Sequence, residues 1–305
     1  MLHIKEDYYV LIKNKLVNNE IYQNAKDYSK ESNNVITYFD VGKLLYQAGV
    51  RYGENIVGNY SEKLMNEVGK KYTPRTLRKY RQFYSSYINL KWPALPAKLT
   101  WSHIQELLSI KDSNELSYYI DLINKNNLTH RELRNKIKNK EYYRLPESTR
   151  NKLIINKEVS LKDTIKDPII FYSDSSIIKE HALQMLILEN IPYFLDELGD
   201  SFTFIRNEYR IKLSNTYNYI DLLLYNIKYK CYVVVELKVT ELKKEHIGQI
   251  QLYMNYCDKH LKTIDENPTL GIIICKKNNK LVVDYSSNEN IIAREYILRV
   301  KEKDI

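Results

Sequence analysis

Apolar positions recur at helical spacing through the first half of the chain and give way to β-branched and aromatic runs in the second. Residues 1–30 read as one helix. A second runs from 35 to about 48, with Ile36, Phe39, Val41, Leu44 and Leu45 spaced for one face, and a third covers 59–69. In KKYTPRTLRKYRQFYSSY, Thr73 followed by Pro74 marks a helix start, a hydroxyl cap before a proline whose missing N–H would be unpaired there anyway. That helix extends to about Tyr87. NLKWPALPAK is a proline-punctuated loop bracketed by Trp92 and Trp101, which read as core anchors. LTWSHIQELLSI opens another helix at Thr100, and Thr129-x-x-Glu132 is a capping box opening one that reaches about Tyr143. His103 and His130, near helix starts and without metal-ligand spacing, read as capping or packing residues.

Residues 146–168 carry two prolines, scattered charges and little periodicity, and are expected to link two domains, 1–145 and 169–305. Beyond them, 176–198 is helical, and 202–213, 217–226 and 230–239 alternate as strands. A helix is expected over 240–260, then strands at 269–276, 280–285 and 291–299. The order points to an all-α domain followed by an α/β domain with a mixed central sheet.

Within YIDLLLYNIKYKCYVVVELKV, three ionisable residues interrupt apolar strands: Asp221, Glu236 and Lys238. A turn around 226–230 sets Asp221 near-opposite Glu236. Glu236 and Lys238, two apart on a strand, point to one side. Two carboxylates at that separation repel unless a cation lies between them. Hard oxygen ligands suit Mg²⁺, with Mn²⁺ as a substitute, which lowers the pKa of a bound water and shields charge on a phosphoryl group. An ammonium beside it orients that water or stabilises the pentavalent centre. The simpler alternative is a buried Glu236–Lys238 ion pair.

Composition narrows the choice. The 305 residues are 44% hydrophobic and 28% charged, which fits packed globular domains. The net charge of +9 and pI near 9.1 fit an anionic partner such as DNA. No apolar run is long enough to span a membrane. The charged N-terminus argues against a secretory leader, and the three scattered cysteines fit a reducing cytoplasm and small core roles rather than zinc or disulfides. No Walker-type loop encodes ATP use.

Asp221, fourteen residues, then Glu236-Leu237-Lys238 resembles the PD-(D/E)XK nuclease motif. Together FLDELG, SFTFIRNEYRI, YIDLLLYN, VVVELK, IGQIQLYMNY and LGIIIC resemble the YhcG family of nucleases. In the first half, TLRKYRQFYSSY, LTWSHIQELLSIKD and NNLTHRELRNKIKNKEYYRL resemble that family's helical N-terminal domain. The resemblance implies a PD-(D/E)XK restriction-endonuclease-like domain behind a helix-turn-helix-like or winged-helix module. It implies a metal-dependent DNA endonuclease tied to restriction, defence or mobile-element DNA, with partner proteins from such a locus. Asp221, Glu236 and the Leu237 carbonyl would hold the metal. Lys238 would position or activate water, Glu197 would be the first-helix glutamate, and Gln249 with Tyr253 would form the Q-x-x-x-Y helix. Two departures stand out: Glu208 occupies the family's glutamine position, and Ile220 replaces the proline before Asp221.

In the 73–87 helix, Arg75, Arg78 and Gln82 share a face suited to a DNA groove, with Lys70, Lys71 and Lys79 adding phosphate contacts. An ordinary solvated helix is the alternative there. His246, three before Gln249, flanks the expected site. The competing reading of the whole chain is a catalytically inactive or partner-activated DNA-binding and assembly protein on a nuclease fold, with RNA as a further substrate alternative. One site per chain cutting two strands would favour a homodimer.

Overall fold

The computed structural model describes residues 7–24, 30–48, 55–89, 98–155, 157–172, 179–199, 201–279, 282–283 and 288–300. The chain divides into two compact units, 1–142 and 143–305.

The first unit is helical: α1 Tyr8–Asn24, α2 Lys30–Ala48, α3 Ile56–Glu67, α4 Pro74–Asn89, α5 Trp101–Leu107, α6 Ser113–Asn126 and α7 His130–Lys138, with α8 Glu141–Arg144 at the boundary. The caps read from sequence are formed. Thr73 Oγ1 accepts from Thr76 N at 3.3 Å, and Thr129 and Glu132 bond reciprocally at 2.7 and 3.3 Å. His103 is buried, its Nδ1 accepting from Thr100 N at 3.2 Å and its Nε2 2.9 Å from the Leu128 carbonyl. The core centres on Ile12, Leu16, Val41, Leu45, Leu64 and Leu77. Tyr38 and Tyr80 stack at 4.4 Å, and Trp101 meets both edge-on at 5.0 and 5.1 Å. Gly42 lets α2 approach α4, because a Cβ there would lie 2.1 Å from the Tyr80 carbonyl oxygen. Trp92 lies outside the described residues.

The second unit contains α9 Glu147–Ile154, α10 Leu161–Thr164, β1 Ile169–Tyr172, α11 Glu180–Glu189, α12 Ile191–Leu198, β2 Phe202–Leu213, β3 Thr216–Asn226, β4 Cys231–Glu241, α13 Lys244–His260, β5 Leu270–Lys277, β6 Ile291–Glu295 and β7 Ile297–Val300. Five strands form one mixed sheet in the order β2-β3-β4-β5-β6, antiparallel through β4 and parallel from β4 to β6. Alternation sends Leu222, Leu224, Val233, Val235 and Leu237 into a core that includes residues of α11 and α12, and Leu223, Val234 and Ile273 into one that includes residues of α13. All three cysteines are buried in these cores, as expected.

Four sequence expectations change. The segment 146–168 is no plain connector. It forms α9 and α10, and Arg294 clamps it by donating to the carbonyls of Ile165 at 2.7 Å and Lys162 at 3.1 Å. The expected single helix over 176–198 breaks at Asn190, because Pro192 has no N–H to continue α11. The expected strand 291–299 splits at Tyr296, since β7 leaves the main sheet to pair in parallel with β1. Of the expected strand 280–285, Val282 and Val283 sit in a helical turn, and the rest lies outside the described residues.

Candidate active site

The β3–β4 ladder runs from Asn226–Cys231 to Leu222–Val235 and stops. Continued by one step it would set Asp221 opposite Glu236. Instead the strands part, and the Leu237 N–H donates to Asp221 Oδ2 at 2.7 Å. The Asp221 carbonyl accepts from Gln184 Nε2 at 3.1 Å, so both its backbone and its carboxylate are held. On β4, Lys238 Nζ lies 2.8 Å from Glu236 Oε1. The same ammonium donates at 2.6 Å to Glu180, the first residue of α11. Glu180, Asp221 and Glu236 each offer a carboxylate oxygen within 4.8 Å of the others.

Three acids thus share one lysine. Glu236 is 1% exposed, and its Oε2 is buried without a hydrogen-bond partner. Burial, then Asp221, pushes its pKa to about 7 despite the attraction of Lys238. Burial also raises Asp221, with Glu180 and Glu208 adding repulsion, while the Leu237 N–H and Lys238 pull the other way. Burial disfavours the Lys238 ammonium, yet Glu236 and Glu180 outweigh it and raise its pKa, so it stays charged. An acidic excess that runs from exposed Glu180 to buried Glu236, with one unused carboxylate oxygen, fits a hard divalent cation, for which carboxylates are the preferred protein ligands.

The helix α13 brings Gln249 and Tyr253 together: Gln249 Nε2 donates to the Tyr253 hydroxyl at 3.0 Å. Tyr253 is buried and its pKa raised, by burial first and then by the nearby Glu236 and Asp221. His246 accepts from Lys243 N through Nδ1 at 3.2 Å, and its pKa is lowered by burial and by Lys238. Leu237 contributes its N–H to Asp221 while its side chain packs in the core.

Glu197 departs from its expected role. It ends α12 with both oxygens bound by the Arg144 guanidinium, and Oε2 also accepts from Ile169 N at 3.0 Å. It is not one of the three converging acids. The helix glutamate that joins Asp221 and Glu236 is Glu180, and Gln184 one turn later braces Asp221. Sequence reading missed both: their i, i+4 spacing says only that they share a helix face. Glu208 holds a left-handed φ of 44° in the middle of β2, where register sets it opposite Asp221. In the first unit, Arg75 and Arg78 are exposed as expected. Lys79 instead bonds Gln105 Oε1 at 2.5 Å, and Gln82 donates to the Leu108 carbonyl at 3.1 Å, so both brace the end of α5.

A mixed sheet carrying an acid on one strand, E-x-K on the next and a glutamate on the preceding helix defines a PD-(D/E)XK nuclease domain. Residues 162–304 match the family described as YhcG PDDEXK nuclease domain, and residues 16–144 match that described as DUF1016 N-terminal domain. The chain is homologous to YhcG of Escherichia coli (strain K12), 22% identical over 314 residues that span 88% of this chain and 84% of that protein. Among solved structures, a repair endonuclease from Pyrococcus abyssi aligns at 17% identity and a TM-score of 0.29, covering 41% of this chain and 49% of that one. The EndoMS–dsDNA2 complex aligns at 17% identity and a TM-score of 0.30, covering 41% and 47%. The chain thus spans about half the length of those two proteins.

Proposed function

We propose that this protein is a divalent-metal-dependent DNA endonuclease. The observation that carries this reading is the convergence of Glu180, Asp221 and Glu236 around Lys238, with a buried Glu236 oxygen left unpaired. Asp221, Glu236 and Glu180 would hold Mg²⁺ or Mn²⁺, with the Leu237 carbonyl as a further oxygen. Bound there, the ion would supply positive charge to a phosphoryl oxygen and an acidified water.

The chain's own groups do the rest. Lys238, held charged by its carboxylate neighbours, acts as a hydrogen-bond donor to the attacking water or the phosphate, not as a base. Gln249, which donates to Tyr253, would orient Lys238 or contact the scissile strand. The splay of β3 from β4 opens the site. Attack in line with the leaving 3′ oxygen yields a 5′ phosphate. The net charge of +9 supports a polyanionic substrate, and Arg75 and Arg78 on α4 support a DNA-contacting role for the helical unit in the manner of a helix-turn-helix. Restriction, defence or mobile-element processing and a homodimer for double-strand cuts complete the proposal.

The test is incubation of the full chain with linear, supercoiled, branched and single-stranded DNA in Mg²⁺ or Mn²⁺. Lys238→Ala should lose cleavage and keep DNA binding. A Lys238→Ala protein that cuts like the parent overturns the mechanism. If calorimetry detects no divalent-ion binding that depends on Asp221, the assembly-protein reading replaces it.

A further inference from the structure

The β2–β3 pairing outruns the rest of the sheet. Its ladder continues to Leu213–Thr216, whereas β4 joins β3 only from Leu222 to Asn226. Residues 209–220 therefore form a two-stranded ribbon with no third strand among the described residues, an arrangement marginal in water unless one face is packed. One face is: Ile211 and Ile220 are buried, and Tyr209 and Leu213 lie against the core that includes residues of α13.

The other face is unlike an ordinary solvated surface. Arg210 pairs across the ladder with Tyr219, and Lys212 with Tyr217. The Arg210 guanidinium lies 5.0 Å from the Tyr217 ring centroid. Tyr217 and Tyr219 are 54% and 53% exposed, so neither ring is held by the core. At ~3.3 Å per residue, Tyr219 and Tyr217 stand ~7 and ~13 Å along the strand from Asp221. Both rings are thus within a few nucleotides of the converging acids.

This face suits one kind of occupant. Phosphates need only the cations, and the faces of paired bases in a duplex are covered by their neighbours. Aromatic rings interleaved with Arg and Lys on an open strand face match unpaired bases, which stack on the rings while the cations follow the backbone. Pairing with a second protein strand is disfavoured. The β2 edge is bulged between Phe204 and Arg206, turned by the left-handed Glu208 and lined by Arg206, Arg210 and Lys212, all features that blunt an edge.

We infer that the outer face of this ribbon, Arg210, Lys212, Tyr217 and Tyr219, is a stacking platform for unpaired bases beside the cleaved phosphate. DNA with a single-stranded segment, such as a flap or fork, is then the preferred substrate class. The inference rests on the nuclease reading above.

The experiment measures binding by fluorescence anisotropy in EDTA, which removes cleavage from the readout. The probes are a labelled duplex and the same duplex carrying an unpaired flap. The parent should bind the flap more tightly. Tyr217→Ala with Tyr219→Ala should lower flap affinity at least tenfold and leave duplex affinity within about twofold. Tyr217→Phe with Tyr219→Phe should retain the preference, because the ring and not the hydroxyl stacks. Thermal melting checks that each variant is folded, and the single alanine variants replace the double one if it is not. Equal losses on both probes, or no loss on the flap, overturn the platform while leaving the nuclease intact. A parent that binds neither probe and cuts no DNA overturns the nuclease reading itself.

Discussion

Replacing Glu236 with glutamine should stabilise the metal-free protein at alkaline pH, an unusual outcome for a residue proposed to hold a metal ion. The carboxylate is 1% exposed, one of its oxygens has no partner, and its pKa stands at about 7 in the folded chain against 4.5 when unfolded. The folded state therefore binds more protons between those values, and stability falls as pH rises through that window. At ~1.4 kcal/mol per pH decade, holding Glu236 charged above pH 7 costs about 3 kcal/mol. That cost is already net of the attraction of Lys238, so glutamine, neutral like the protonated acid, should recover most of it, a gain of about 3 kcal/mol. Urea unfolding in EDTA measures it. The variant should exceed the parent above pH 7, converge with it below about pH 4.5, and lose its advantage when Mg²⁺ is added, because the ion binds the parent's folded state more strongly. A variant less stable than the parent at every pH would refute the claim that the buried charge is uncompensated.

Three further outcomes follow from the packing. Arg144→Ala leaves the Glu197 carboxylate buried without its counter-charge and should cost about 3–5 kcal/mol in denaturant unfolding, whereas exchanging both partners for apolar residues should cost less. Glu208→Gly relieves the left-handed backbone in β2 and should raise stability by about 1 kcal/mol, read as a higher melting temperature. Gly42→Ala drives a methyl group into the Tyr80 carbonyl and should cost more than about 3 kcal/mol, because two helix backbones must separate.

The parts of the site visible in the sequence were those joined by short-range geometry. Asp221, Glu236 and Lys238 lie on one hairpin, so alternation and turn length were enough to bring them together. Glu180 was not legible, because a glutamate at a helix start is equally an ordinary favourable charge there, and only the packing of α11 beside the parted strands gives it a role. The pairing of Glu197 was hidden for the same reason in reverse: its partner, Arg144, lies 53 residues upstream. The caps at Thr73, Thr100 and Thr129 were local and formed as expected. The β1–β7 pairing joins residues 169–172 to 297–300, and nothing in either segment's own pattern announces the other.

The anchoring of Glu197 has a practical side for anyone wishing to study the second unit in isolation. The nuclease-domain match starts at residue 162, but the guanidinium that pairs with Glu197 comes from residue 144. A polypeptide trimmed to the matched span would retain an acid without its basic mate, and any fragility it displayed would reflect where the scissors fell. Beginning at or before Tyr143 keeps the pair, and with it a fair measure of what this half can do alone.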